Sequence, residues 1–159
     1  MSLSSFPPMP PAPSARRPKT KWFVVFTIAA VFALIVLWSV GKGFYHNYRL
    51  SSAAVDEFHQ ELDRGDFVTI YGDATDDFRR AGARGDELKF FEMVHQKMGN
   101  SGKMSTQGFH VTWRNGRLFA DQVYDSQFVL GQARESFVWI IEQDRPRLES
   151  YHIDSPNLR

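Results

Sequence analysis

The run WFVVFTIAAVFALIVLWSV, Trp22 to Val40, is nineteen residues without a charge. As a helix rising about 1.5 Å per residue it is about 28 Å long, close to the hydrocarbon thickness of a bilayer. Trp22 and Trp38 stand at its ends, where amphipathic rings favour the headgroup level. It reads as one transmembrane helix, with the lipid bilayer as its partner. Arg16, Arg17, Lys19 and Lys21 cluster just before it, and only Lys42 and Arg49 follow closely. The positive-inside rule then predicts a single-pass protein of the inner (cytoplasmic) membrane, N-terminus in the cytoplasm and C-terminal domain outside. A cleaved signal peptide fits less well, because Ser39-Val40-Gly41 is a poor cleavage site. Residues 1–21, rich in Pro, Ser and Ala before the basic cluster, read as a disordered cytoplasmic tail.

The charge distribution supports this division. All eighteen acidic residues lie at Asp56 or later, with thirteen Lys and Arg, a net charge of −5. Residues 1–49 hold six basic residues and no acid. An acidic domain has no general attraction for phosphate backbones, which argues against nucleic acid as a partner. The chain has no cysteine, which excludes thiol catalysis and cysteine-ligated metal.

Residues 41–50 read as a juxtamembrane linker, with Gly41 and Gly43 allowing a bend and Phe44, Tyr45 and Tyr48 suited to the interface. Residues 51–155 read as the extracytoplasmic domain and 156–159 as a tail. Val55, Phe58 and Leu62 recur at helical spacing over 52–64, and Gly65 is placed to cap that helix. Asp66 caps a second helical piece, with a further turn over 73–78. A third helix over 87–98 carries the stripe Leu88, Phe91, Val94 and Met98. From Lys103 the period becomes two. Asn115-Gly116 predicts a tight hairpin, and an apparent change of phase along 118–130 predicts a bulge near Tyr124. Ser136 to Gln143 is apolar on both faces, as in a central strand, and Arg147 to Asp154 is the last strand. Three helical segments followed by four antiparallel strands make an α+β domain with helices on one face of a curved sheet. Phe58, Phe91 and Trp139 are expected at the helix–sheet interface.

The segments AVDEFHQELDRGDFVTIYGDATDDFR (54–79), FFEMVHQKMG (90–99), VYDSQF (123–128) and SYHID (150–154) resemble membrane-anchored bacterial domains of unknown function in the nuclear transport factor 2-like (cystatin-like) superfamily. The resemblance covers about residues 52–154 and rests mostly on packing positions. It implies a cone of helices wrapped in a bent sheet, often with an interior pocket. Some relatives are isomerases or dehydratases and many only bind. No catalytic signature of those enzymes matches this chain, and a fold alone licenses no activity.

Tyr71, Trp113, Tyr124, Phe128 and Trp139 are the residues that would line such a pocket, though core filling suits them better. His46, His59, His95, His110 and His152 include no H-x-x-x-H pair. His95 reads as a partly buried structural histidine. His110 and His152, on strands, are candidate bases beside Asp121 or Asp125, but alternation also places them towards solvent. Asp73 to Asp77 reads as a capped turn rather than a calcium loop. No serine elbow or phosphate-binding glycine loop occurs. The sequence therefore points to no catalytic residue, no metal and no cofactor.

The function expected is a binding or assembly module, with a small-ligand carrier or isomerase/dehydratase-like enzyme as the alternative. An inward-pointing Asp–His or Tyr–Asp set would favour chemistry. Val138 and Ile140 point away from Phe137, Trp139 and Ile141, so one set would face water unless covered. That apolar set, extended by Tyr151 and Ile153, suggests docking of a second copy or another envelope protein through the sheet. A reporter active only outside the cytoplasm, fused after Arg159, should be active; a well-expressed but silent fusion reverses the orientation.

Overall fold

The computed structural model describes the backbone of residues 20–159, with side chains from Thr27 onwards except that of Val40. The tail expected over 1–21 falls outside this range up to residue 19, and so do the side chains of Trp22 and Val40. The elements run α1 Thr20–Arg64, α2 Phe67–Asp73, α3 Asp76–Ala81, α4 Arg84–Met98, β1 Ser101–Arg114, β2 Arg117–Phe128, β3 Gly131–Glu142 and β4 Arg145–Asp154, with a 3-10 turn at Pro156–Leu158. The chain divides into two units, 1–39 and Val40–Arg159.

In the first unit α1 is long and apolar enough to cross a membrane. Ile28, Phe32, Leu34 and Leu37 are exposed along it. The Ser39 hydroxyl donates to the Ile35 carbonyl at 2.9 Å. A hydroxyl satisfied on its own helix suits a surrounding with no water to offer.

In the second unit the stretch expected as a linker, residues 41–50, is helical and belongs to α1. Gly41 and Gly43 each weaken a helix by about 1 kcal/mol. Tertiary packing outweighs that cost: Phe44 and Tyr48 meet the Phe109 ring edge-on, with centroids 5.0 and 5.1 Å away. Gly65 ends α1 at φ 72°, as its lack of Cβ predicts. Asp66 caps α2 by accepting from the Thr69 N–H at 3.3 Å, so the β-prone run after it is helical. Thr75 caps α3 through the Phe78 N–H at 3.1 Å. The helix expected from Glu87 begins earlier, at Arg84, which places Asp86 in its first turn. The Asp86 and Glu87 N–H groups bond back to the Ala83 carbonyl, which starts the helix without a capping side chain.

The strands form one antiparallel sheet in the order β1-β2-β3-β4. Both hairpins at one end turn through two positive-φ residues, Asn115-Gly116 and Gln143-Asp144, the geometry that matches strand twist. The bulge lies on β1, not on β2. Thr106 pairs with Tyr124 and Gly108 with Val123, so Gln107 is the extra residue. Strand β2 keeps its alternation throughout, burying Ala120, Gln122, Tyr124, Ser126 and Phe128. Two polar residues in the buried phase made the apolar pattern look displaced. Two further shifts occur, one between Ser101 and Met104 on β1 and one between Val138 and Trp139 that leaves Glu149 unpaired on β4. These bulges bend the strands.

The helices cover one face of the sheet. Phe58, Phe91 and Trp139 are buried there with Val55, Leu62, Val94, Met98 and Phe137. Phe58 meets Phe137 and Phe91 edge-on at 5.2 and 5.9 Å. Tyr151 and Ile153 pair with Phe137 and Glu135 and belong to this core, so they do not extend an outer patch. On the opposite face Ile140 is fully buried, flanked in register by Phe119 and Arg147. Val138 is half-buried.

Candidate functional site

Two polar constellations occupy the second unit, one sealed and one open. The sealed one joins α1 to the sheet. His59 follows Val55 by one helical turn and lies in the same stripe as Phe58 and Leu62, so the helix carries it into the core. Glu135 alternates with Ala133 and Phe137 on the buried face of β3. Its exposure is 0 % and that of His59 is 3 %. His59 Nδ1 donates to the Val55 carbonyl at 2.9 Å. Nε2 faces both Glu135 oxygens, at 3.0 and 3.2 Å. The Tyr151 hydroxyl donates to Oε1 at 2.7 Å.

Both imidazole nitrogens thus face acceptors, which suits the doubly protonated ring beside an ionised carboxylate. Burial pulls the His59 pKa down, but the Glu135 hydrogen bond and charge, with the Val55 carbonyl, leave it above its ordinary value. Burial pushes Glu135 up, yet the hydrogen bond and charge of His59 and the Tyr151 hydroxyl bring it below the usual carboxylate range. Burial and the adjacent carboxylate raise Tyr151 well above its ordinary value. The set is an inward acid–base constellation of the kind that chemistry would use. It is packed shut, however, by Phe58, Phe128 and Phe137, whose ring centroids lie 5.6 to 6.0 Å from that of His59.

The open constellation is a cleft of about 690 Å³ between α1, α2 and the β3–β4 hairpin. Ala54, Glu57, Phe58 and Glu61 enter from successive turns of α1, and Asp73 from the end of α2. Trp139, Arg145 and Arg147 face them from the hairpin strands. Arg147 is committed to the structure, donating to the Asp73 and Ala74 carbonyls at 3.3 and 2.6 Å. Partial burial, then the neighbouring charges of Glu57, Asp73 and Asp66, push Glu61 up to about 7. Like charges one helical turn apart resist joint ionisation. The Trp139 indole N–H is buried without a hydrogen-bond partner.

Of the five aromatic candidates only Trp139 lines this cleft. Tyr124 is buried against the sheet and takes a hydrogen bond from the Gln122 amide at 2.9 Å. Phe128 packs near His59. Tyr71 is half-buried and donates to the Arg79 carbonyl at 3.1 Å. Trp113 is 67 % exposed at the end of β1. The structure therefore does not gather the five around one space. His110 and His152 are exposed on the face away from the helices. Asp125 is held by Arg134 at 2.9 Å, and Asp121 stands opposite His110 in register. His95 is half-buried beside Phe67, as expected. Among the described residues no group of three or more His, Asp or Glu is arranged to hold a metal ion.

His59 and Glu135 received no role from sequence reading. The available signal was phase: a charge in step with Ala133, Phe137 and Trp139, and a histidine in step with Val55 and Leu62, need each other in a core. No family model matches the chain, and no curated protein matches it.

Breaking one side of the pair leaves an uncompensated buried charge. Glu135→Gln should lower stability by about 3–5 kcal/mol, while His59→Leu with Glu135→Leu should recover most of it. Tyr151→Phe should cost about 1–2 kcal/mol. Glu135 contributes fully above its ordinary pKa of 4.5, and the gain is lost as pH falls through the lower folded value. His59 contributes fully below its ordinary 6.5, and the gain is lost as pH rises through the higher folded value. Urea unfolding of the detergent-solubilised chain across pH should show both losses in the parent and neither in the double Leu variant.

Proposed function

We propose that the chain is a single-pass inner-membrane protein, N-terminus in the cytoplasm, whose extracytoplasmic domain is a non-catalytic binding or assembly module. We also propose that the domain has the cone fold of the nuclear transport factor 2-like superfamily. Helices on one face of a sheet whose register shifts at three places support that fold. The observation that carries the functional reading is the separation of the two constellations. The residues suited to proton transfer are spent on each other inside the core. The cleft that meets solvent offers carboxylates, a guanidinium and the edge of Trp139. Such a surface recognises a polar or charged partner and holds no serine, cysteine or histidine.

A photo-crosslinking residue placed at Glu57 tests this in the membrane-embedded chain. A discrete adduct that disappears with Arg145→Glu supports the module, and one at twice the chain mass identifies self-assembly. Absence of any adduct from Glu57, Asp73 and Arg145 alike overturns it.

A second reading, a small-ligand carrier or isomerase/dehydratase-like enzyme, draws support from Glu61. A carboxyl pushed up to about 7 at the side of an open cleft is poised for proton transfer near neutrality. Because the folded value lies above the ordinary one, the charged form is disfavoured and stability falls as pH rises from 4.5 through about 7, above which it levels off. Glu61→Gln should therefore stabilise the chain above neutral pH and change nothing in acid. Solvent screening holds the gain to about 1 kcal/mol or less. A Glu61 carboxyl resonance titrating near its ordinary 4.5 would remove this reading.

A further inference from the structure

The end of the second unit nearest Val40 carries a surface that the cleft does not explain. Contacts along α1 and β1 show that the two run in opposite directions. Asp63 accepts from the Ser101 N–H at 2.8 Å. Tyr48 meets Thr106 at 3.5 Å and the Phe109 ring, and Phe44 meets Phe109 again. Beyond that last contact α1 needs about 6 Å to reach Val40, four residues at about 1.5 Å each. Strand β1 extends the same way for about 16 Å to Arg114, five residues at about 3.3 Å each. The β1–β2 tip thus reaches at least as far as the residue where the chain passes into its apolar stretch.

The side chains at that end suit a bilayer surface. Trp113 shares the face of Phe109 and Val111, yet no helix covers it and it is 67 % exposed. Phe44 and Tyr45 are also exposed, at 52 % and 62 %. The Arg114 guanidinium lies over the Phe119 ring, 4.1 Å from its centroid. Arg114 and Lys42 are both exposed. Two carboxylates of this end have hydrogen-bond partners: Glu142 meets Arg117 at 3.2 Å and Asp144 meets His46 at 3.1 Å. Exposed cations beside an exposed indole match phosphate groups above an apolar layer.

We propose that the β1–β2 tip docks the domain onto the phospholipid bilayer that anchors it, with Trp113 in the headgroup layer and Arg114 against lipid phosphates. Docking converts a tethered domain into an oriented one, because two separated points of attachment remove its freedom to swing. The proposal rests on the reading of Trp22–Val40 as a membrane anchor.

The test uses the full chain in nanodiscs of phosphatidylethanolamine and phosphatidylglycerol. Trp22→Phe and Trp38→Phe silence the anchor, leaving Trp113 and the buried Trp139. Brominated lipid should quench the Trp113 emission, defined as the part lost in Trp113→Phe, and aqueous iodide should barely reach it. Arg114→Glu should reverse that preference, while unchanged Trp139 emission shows the fold intact. Quenching of Trp113 by iodide and not by lipid overturns the proposal. Shielding from both quenchers overturns it in favour of a protein contact at the tip. A chain that washes off the bilayer refutes the anchor, and the docking falls with it.

Discussion

The buried pair of His59 and Glu135 is the constraint around which the second unit is arranged. An imidazolium and a carboxylate can leave water together only if each remaining polar atom finds a partner. The Val55 carbonyl takes one ring N–H, and Tyr151 takes up one carboxylate oxygen. Three elements, α1, β3 and β4, are thereby held in one register. A slide of one residue along β3 would turn Glu135 to solvent and strand His59 in the core. Apolar packing does not discriminate in this way, since β3 offers apolar side chains on both faces. The aromatic cluster supplies most of the burial, and the ion pair selects which arrangement is kept.

Commitment of those groups to each other also shapes what the domain can do. A histidine held by two acceptors and closed in by aromatic rings offers a ligand no open path to its protons. Chemistry or recognition is left to the cleft, where Glu57, Glu61 and Asp73 crowd one wall and share an unfavourable charge. A polar ligand or a cationic group from a partner would relieve that crowding.

The sequence by itself determined the apolar span, the order of helices before strands, the Gly65 and Asp66 punctuation, the Asn115-Gly116 turn and the buried stripes through Phe58 and Phe91. These are local properties, since periodicity, capping and turn chemistry act within a few residues. Only the tertiary structure decided the rest. It made residues 41–50 helical through Phe44 and Tyr48 against Phe109, and moved the bulge to Gln107 across from Tyr124. It dispersed the five aromatic candidates and joined His59 to Glu135 across 76 positions of chain. A charge in a buried phase announces that a partner must exist. Which distant residue answers it depends on how helix and sheet cross, and that crossing is written in no local stretch.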